Sequence, residues 1–405
     1  MKTKVFIVLI SVCGNILADS HVFCTDAYNT CLIDPIYRDS LRREGQLPSG
    51  IRFYPDSGTL LWNPDSNAIG THQICLSSTK TGIKETRELN IEVKELTKVL
   101  CVFAHSDDEF GIIGKIVQLK EAGKEVFLAW TCVSKDKRNN ESRKAMRSIG
   151  ISEEAMSFLY CGNISSPDTF PIYIEQLAAL ISKHRFDQIY VVGYEGGHIE
   201  HDLTHIATVS ACRSIGFAGQ IYEFGLYHLV HLTPQPFSLI SAPAPTIQMS
   251  LDQRSLDFME ALANLYESQK YLVGGFKLGM SVVKKSHPCY RPRPDWDYSR
   301  PPSSGILWYE VNLRHPASFK KHIQSALKAL RQTHPVVVSQ NRYAQDMRRS
   351  QVGALVLPDR KKDEVIDVGY PYSIYVYAGT SVLLFGAVWL LYRLWKKRKK
   401  LYISV

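Results

Sequence analysis

The chain has 405 residues, of which 45% are hydrophobic and 21% are charged, so it is long enough to bury one large core and a smaller second core. Its formal net charge of +9 is concentrated at the ends, with two lysines among the first four residues and six Lys or Arg residues between Arg393 and Lys400. The body between these ends is almost neutral. This distribution excludes the broad basic surface by which proteins bind nucleic acids.

The two ends predict a protein that is inserted into a membrane. Residues 1–20 begin with lysines, continue as an apolar run and end in small residues, which is typical of a cleavable signal peptide. Residues 370–392 contain no charged side chain and are long enough to cross a bilayer as a helix. The cations that follow predict a cytoplasmic tail over residues 393–405. We therefore expect a single-pass type I membrane protein with a stalk over residues 333–369 and its bulk in a secretory lumen, outside the cell or in a periplasm.

The cysteines are compatible with such a compartment, which permits disulfides. Cys24, Cys31 and Cys75 lie in the N-terminal part, where one pair would be able to close a small domain, and the spacing does not say which pair. Cys101 and Cys132 lie in apolar runs and are predicted to be buried thiols.

Residues 21–97 predict a small β-sandwich, because short alternating segments are separated by turn signals. The run 53–64 (FYPDSGTLLWNP) resembles the immunoglobulin-like modules that are appended to surface enzymes. We expect this domain to serve as a spacer or docking module. The sequence does not identify a protein partner for it.

From residue 98 to residue 332, near-continuous apolar strands alternate with helical segments. The predicted strands are 99–104, 125–133 and 188–193, and the predicted helices are 112–122, 141–149, 172–184 and 202–215. This alternation predicts an α/β domain with a Rossmann-like, mostly parallel sheet that is covered by helices on both faces. In such sheets, ligands bind at the carboxyl ends of the strands, near the point where the strand order reverses.

Four ionisable side chains follow the first of these strands directly, in the run 104–109 (AHSDDE). Burying such charges without partners would cost several kcal/mol per ion, and a divalent cation is the simplest partner. One imidazole and one carboxylate would bind the ion, and a neighbouring carboxylate would stay free to take a proton from bound water. The alternative is a cluster of acids at a helix N-terminus with a chance histidine.

A second cluster follows the strand 188–193, where two glycines precede His198, Glu200 and His201. Glycines let the backbone approach an ion closely, and the histidines supply a third ligand and a second imidazole with an orienting carboxylate. His205 lies one helical turn beyond His201 and is the rival third ligand. Because both clusters lie at predicted strand ends, we expect them to meet at one metal site.

These two runs resemble the N-acetylglucosaminyl-phosphatidylinositol de-N-acetylases and their bacterial LmbE-like relatives, and the bacterial branch in particular. The family signature A-H-P-D-D-E is met by residues 104–109 with serine in the proline position. The signature H-P-D-H is met by residues 198–201 with Ile-Glu in place of Pro-Asp. Weaker matches extend the resemblance over about residues 98–310.

The resemblance implies a zinc hydrolase that removes the acetyl group from amino-sugar conjugates. It implies metal ligands at His105, Asp108 and His201, and a general base at Asp107. Zinc is the expected ion, although ferrous iron would accept the same nitrogen and oxygen donors.

The resemblance also assigns His198 to stabilise the oxyanion and to protonate the leaving amine, with Glu200 holding its tautomer. Three further residues are candidates for substrate contacts. Arg138 would grip a substrate anion or hydroxyl, or else be a surface charge on a helix. Tyr194 would donate to the oxyanion or simply pack, and His228 would line the pocket.

The sequence therefore predicts a metal-dependent enzyme that removes an N-acetyl group from an N-acetylglucosamine-type sugar or glycoconjugate. Two alternatives stay open. One is a non-catalytic surface receptor or carbohydrate-binding protein that retains the metal, and the other is a metal hydrolase of another amide or of an ester.

Overall fold

The computed structural model describes residues 19–333, except for the short gaps 25–28, 33–41, 45–47, 49, 55–58, 81–82, 133–135, 231–232, 243, 250–252, 270–287 and 312–316. The predicted membrane helix, the cytoplasmic tail and almost all of the predicted signal peptide and stalk lie outside the described residues and stay predictions. Within the described ranges, no helix combines the length and apolar character that a bilayer crossing requires.

The N-terminal part consists of two β-sheets that face a common core. Its strands are β1 (Asp19–Cys24), β2 (Asn29–Leu32), β3 (Arg42–Glu44), β4 (Arg52–Tyr54), β5 (Thr59–Trp62), β6 (Gly70–Lys80) and β7 (Ile83–Lys94). One sheet has the order β1-β7-β6-β3 and the other has the order β2-β5-β4. Leu60 and Trp62 of one sheet pack with Ile74, Leu89 and Ile91 of the other. The immunoglobulin-like character of this part stays a prediction.

The remaining strands build a seven-stranded sheet and one hairpin. They are β8 (Lys98–Phe103), β9 (Glu125–Trp130), β10 (Met156–Phe158), β11 (Gln188–Val192), β12 (Gln220–Phe224), β13 (Tyr227–Val230), β14 (Thr233–Pro236), β15 (Ile247–Gln248) and β16 (Cys289–Pro292). The large sheet has the order β10-β9-β8-β11-β12-β16-β15, and β13 pairs with β14. Its first five strands are parallel, and β16 pairs antiparallel with both β12 and β15. The predicted α/β class with a mostly parallel sheet is confirmed.

The helices that accompany the sheet are α1 (Ile113–Glu121), α2 (Asp136–Ser148), α3 (Phe170–His184), α4 (Ile199–Ser214), α5 (Gln253–Leu265), α6 (Trp308–Val311) and α7 (Gln324–Thr333). All four predicted helices are present with shifted ends. Helix α4 begins at Ile199, three residues earlier than predicted, because His198 caps its N-terminus. This shift places His201 in the first turn of the helix.

The strand order explains where a ligand site forms. From β8 the chain continues to β9 and β10 on one side of the sheet, and β11 and β12 then pair on the other side of β8. The carboxyl ends of β8 and β11 therefore flank the point at which the order reverses, and a crevice opens there. The apolar residues of both strands are buried, as in parallel sheets packed by helices.

Two predicted thiols lie in this domain. Cys101 on β8 is fully buried, as predicted, and Cys132 beyond the end of β9 is a thiol that is only partly buried. The side chains of Cys31 and Cys75 are not among the described ones, so the predicted disulfide in the N-terminal part stays a prediction.

Candidate metal centre

The run after β8 forms a tight turn that separates its acidic side chains. Asp107 has a φ of 108°, a left-handed conformation that is strained for any residue except glycine. Glu109 holds this turn from the inside, since its carboxylate accepts hydrogen bonds from the Asp107 N–H at 2.8 Å, from Ser142 Oγ at 2.7 Å and from the hydroxyl of Tyr266. Because Glu109 forms these hydrogen bonds inside the fold, Asp107 and Asp108 are the acidic side chains of the run that face the crevice.

The three predicted ligands, His105, Asp108 and His201, converge at the crevice. His105 Nδ1 lies 3.3 Å from His201 Nε2 and 3.5 Å from Asp108 Oδ2, and His201 Nε2 lies 3.3 Å from Asp108 Oδ1. Nitrogen and oxygen ligands at about 2.1 Å from a tetrahedral ion are about 3.4 Å apart, so these donors fit one coordination sphere. The structure thus brings together side chains that are 96 residues apart in the sequence.

The charges in this cluster favour a cation. Burial opposes a charge on His105, but Asp108 and Glu200 outweigh it and raise the pKa of His105 to about 10. Burial would raise the pKa of Asp108, but His201 and His105 hold it well below its usual range. The two carboxylates are therefore ionised, and the proton on His105 supplies the positive charge between them. A divalent cation has the charge and ligand preference to replace that proton.

Glu200 orients His105, whereas the sequence assigned it to His198. Its Oε2 atom accepts a hydrogen bond from His105 Nε2 at 2.5 Å and lies 3.9 Å from His198 Nδ1, beyond hydrogen-bond distance. This assignment is corrected, because α4 begins at Ile199 and Glu200 in its first turn pairs with the ring of His105. A carboxylate on the second ring nitrogen leaves Nδ1 of His105 free to bind an ion.

His198 is held as a neutral imidazole with a defined tautomer. Its Nδ1 accepts a hydrogen bond from the Glu200 N–H at 3.2 Å, so the proton of the neutral ring resides on Nε2. Burial and the neighbouring His201 and His105 lower the pKa of His198 to about 3. Such a ring donates a hydrogen bond to an oxyanion, but it does not carry the extra proton that the expected protonation of an amine requires.

His198 also lies close enough to be a ligand itself. One nitrogen from each of His105, His198 and His201 lies within 4.8 Å of the other two. A cation held by His105, Asp108 and His201 would therefore lie close to His198.

Arg138 contacts Asp107. The sequence predicted either a substrate contact or a surface charge for Arg138, and this ion pair is neither. Its Nη2 donates to Asp107 Oδ1 at 2.6 Å, and its Nε donates to the Ser106 carbonyl at 2.7 Å. Burial raises the pKa of Asp107 to about 7, with Arg138 acting in the opposite direction. Arg138 thereby fixes one oxygen of the carboxylate and leaves Oδ2 for another partner.

Two of the remaining candidates, Tyr194 and His228, are buried. The hydroxyl of Tyr194 donates to the carbonyl of Arg300 at 2.7 Å, so its assignment to the substrate is corrected in favour of packing. His228 is 4% exposed and its Nδ1 lies 3.8 Å from Glu195 Oε2, and its expected role in lining the pocket stays a prediction.

His205 is the rival ligand, and it is engaged elsewhere. Its Nδ1 donates to the Val192 carbonyl at 2.8 Å, and its Nε2 lies 3.0 Å from the hydroxyl of Tyr298. Because both ring nitrogens are used, His201 is the histidine of α4 that reaches the crevice.

Several residues that support the second loop were not predicted. Asp202 Oδ1 accepts from the N–H groups of Glu195 and Gly196 at 3.1 Å, and Glu195 Oε1 accepts from the Tyr227 N–H at 2.9 Å. A Cβ atom at Gly197 would lie 1.9 Å from the Tyr227 carbonyl oxygen, so only glycine fits there. The Glu-Gly-Gly run before His198 is the sequence signal that would have indicated this packing.

A comparison with protein families finds a match over part of the chain. Residues 100–212 match the family model described as PIG-L: GlcNAc-PI de-N-acetylase, and this span contains both loops. Among curated proteins, none matches the chain significantly.

Solved structures also resemble part of the chain. A triple mutant of the deacetylase of the teicoplanin biosynthetic pathway is 12% identical, with a TM-score of 0.40, over 48% of this chain and 97% of that one. A conserved protein, TT1542, from Thermus thermophilus is 16% identical, with a TM-score of 0.39, over 52% and 100%. The N,N'-diacetylchitobiose deacetylase from Pyrococcus horikoshii is 17% identical, with a TM-score of 0.32, over 51% and 88%. The span that matches the PIG-L: GlcNAc-PI de-N-acetylase family model, residues 100–212, thus contains both loops of the candidate metal centre.

Proposed function

We propose that the chain is a metal-dependent hydrolase that removes the N-acetyl group from an N-acetylglucosamine-type sugar conjugate. The observation that carries the proposal is the convergence of His105, Asp108 and His201, whose donor atoms are 3.3–3.5 Å apart. The choice of an acetylated amino sugar depends on the family description that matches residues 100–212. Zinc is the proposed ion, with ferrous iron as the alternative for the same donors.

When bound there, such an ion would lower the pKa of a coordinated water and polarise the acetamide carbonyl. Asp107 is the residue that takes the proton from the attacking water, through Oδ2. Arg138 holds Oδ1 and thereby aims the free oxygen. As the carbon–nitrogen bond breaks, the same carboxyl returns the proton to the departing amine, so the products are acetate and the free amino sugar.

Two neighbouring residues complete the proposed chemistry. The Nε2–H of His198 donates to the oxyanion that develops on the acetamide oxygen, because its Nδ1 is occupied by the Glu200 N–H. Glu200 accepts a hydrogen bond from the Nε2–H of His105 and would keep Nδ1 directed toward a bound ion. Proton transfer is thus assigned to Asp107 and hydrogen-bond donation to His198.

The direct test is acetate release from N,N'-diacetylchitobiose and from N-acetylglucosaminyl-phosphatidylinositol, measured after chelation and after zinc is restored. Asp107→Asn is expected to lower turnover about 10²–10⁴-fold while the metal content stays unchanged. The matched control is Asp168→Asn, since Asp168 is an exposed carboxylate, and its turnover is expected to equal that of the wild type.

Two results would contradict the proposal. Stoichiometric metal binding without turnover of acetamides, peptide amides or esters would favour the non-catalytic receptor. Turnover of esters or peptide amides without acetate release from amino sugars would favour a hydrolase of another bond.

A further inference from the structure

The proposed chemistry does not use the thiol of Cys132, which lies at the same edge of the sheet. Cys132 follows β9 and is a partly buried thiol. Its Sγ atom, one nitrogen of His105 and one carboxylate oxygen of Glu200 all lie within 4.8 Å of one another. These three residues come from the ends of three different elements, namely β8, β9 and α4. None of them is fully buried, so the group is accessible to a small ion.

The geometry points to a second cation site, formed by Cys132 Sγ, Glu200 and His105 Nε2, that takes a thiophilic divalent ion. Zinc and cadmium are the ions of this class, because a thiolate, an imidazole and a carboxylate together suit a borderline or soft cation. The first centre, with two imidazoles and a carboxylate, lacks sulfur. The two sites therefore differ in chemistry although they share His105.

An ion at the second site would weaken the binding of an ion at the first centre. His105 presents Nδ1 to His201 at 3.3 Å and Nε2 to Glu200 at 2.5 Å, so its two nitrogens serve opposite sides of the ring. A cation at Nε2 takes the place of the proton that His105 donates to Glu200. The thiol of Cys132 and Nε2 of His105 each release one proton to solvent, and no other bond changes.

The second ion therefore breaks the hydrogen bond that orients His105 toward the first centre. It also places another positive charge within one imidazole ring of the first ion. We accordingly expect excess zinc or cadmium to weaken the first centre and to inhibit the enzyme. This inhibitory consequence rests on the proposed function, whereas the existence of the second site does not.

Binding is tested on the full chain by titration with cadmium, followed by equilibrium dialysis and by the ultraviolet thiolate-to-cadmium absorption. The wild type is expected to bind two equivalents, with thiolate absorption appearing with the weaker one. Cys132→Ser and Cys132→Ala are expected to lose that equivalent and its absorption and to keep the first. The matched control is Cys161→Ser, which removes another partly buried thiol and is expected to retain both equivalents.

Persistence of the thiolate absorption and of the second equivalent in both Cys132 variants would overturn the site. So would a wild type that binds only one equivalent. Circular dichroism of the variants establishes that the comparison is made between folded chains.

Inhibition is tested separately by acetate release at increasing zinc concentration. Both Cys132 variants are expected to keep the wild-type rate at one equivalent and to need at least about tenfold more zinc for half inhibition. Equal inhibition of the wild type and the Cys132 variants would overturn the inhibitory role. If no chain releases acetate, the proposed function fails, and the cadmium titration still decides whether the second site exists.

Discussion

Helix α4 presents two histidines one turn apart to two different clusters. His201 belongs with His105, Asp108 and Glu200 to what we call the open cluster. In this cluster, the carboxylates of Asp108 and Glu200 form ion pairs with histidines. His205 lies in the closed cluster with Glu223 and Arg291, all three of which are buried.

In the closed cluster, the guanidinium of Arg291 supplies the positive charge that neutralises the carboxylate of Glu223. Arg291 Nε donates to Glu223 Oε1 at 2.6 Å, and Arg291 Nη1 donates to the Ile240 carbonyl at 2.6 Å. Trp296 Nε1 donates to the other oxygen of Glu223 at 2.8 Å. In the open cluster, by contrast, the donor atoms converge on one point and no guanidinium reaches Asp108 among the ion pairs of the described residues. The same residue types therefore form a structural core where an arginine neutralises the carboxylate, and the candidate metal centre where histidines are its partners.

The largest expected difference between the clusters is in metal content. His201→Ala removes one of three ligands and is expected to reduce bound zinc to near zero and turnover by at least about 10³-fold. His205→Ala is expected to keep the zinc, because neither nitrogen of His205 faces the first centre. Elemental analysis of the two purified variants makes the comparison, and loss of zinc from His205→Ala alone would reverse our assignment.

Removing the arginine tests the closed cluster. Arg291→Met leaves the carboxylate of Glu223 buried without its cation, and we expect the free energy of unfolding to fall by about 3–5 kcal/mol while zinc is retained. Arg300→Met is the control. Arg300 Nε lies 3.4 Å from Asp297 Oδ2, and the Arg300 side chain is 75% exposed. We expect this exposed ion pair to contribute less than about 1 kcal/mol to the free energy of unfolding. Urea denaturation provides both values, and equal losses would refute the contrast.

The closed cluster also predicts an acid sensitivity. Burial, together with Arg293 and Arg291, outweighs Glu223 and lowers the pKa of His205 to about 4. Between pH 6.5 and about 4 the unfolded chain binds a proton there that the folded chain does not. The free energy of unfolding therefore falls by roughly 3 kcal/mol as the pH drops through this window. The loss between pH 7 and pH 4.5, measured by denaturation, should be smaller in His205→Gln than in the wild type, and equal losses would contradict the prediction.

The smallest expected effect concerns the residue that orients a ligand in the open cluster. Glu200→Gln keeps an acceptor near His105 Nε2 but removes its charge, and we expect zinc affinity to fall about tenfold, or about 1.4 kcal/mol. The exposed Glu260→Gln is the control and should bind zinc as the wild type does. Competition with a chromophoric chelator measures both affinities, and an unchanged affinity in Glu200→Gln would show that packing alone orients His105.

The sequence predicted the parts of the site that depend on local order along the chain. The alternation of apolar strands and helices predicted the parallel sheet, and the position of the two runs after β8 and β11 predicted that His105, Asp108 and His201 would meet. It did not predict the partner of Glu200, because that depends on α4 starting at Ile199. It also missed the contact of Arg138 with Asp107 and left open whether Tyr194 packs or contacts substrate, since both depend on how separate elements pack.

The sequence by itself determined which residues carry chemistry and in what order they follow the strands and helices, because periodicity and motif spacing are properties of the sequence. Only the tertiary structure decided which histidine of α4 reaches the crevice, since His201 and His205 lie on the same helix within one turn and differ only in what packs against them. It likewise decided that Cys132 lies beside His105 and Glu200. The physical reason is that hydrogen bonds and ion pairs depend on distances of about 3 Å between side chains distant in sequence, which pattern and propensity do not specify.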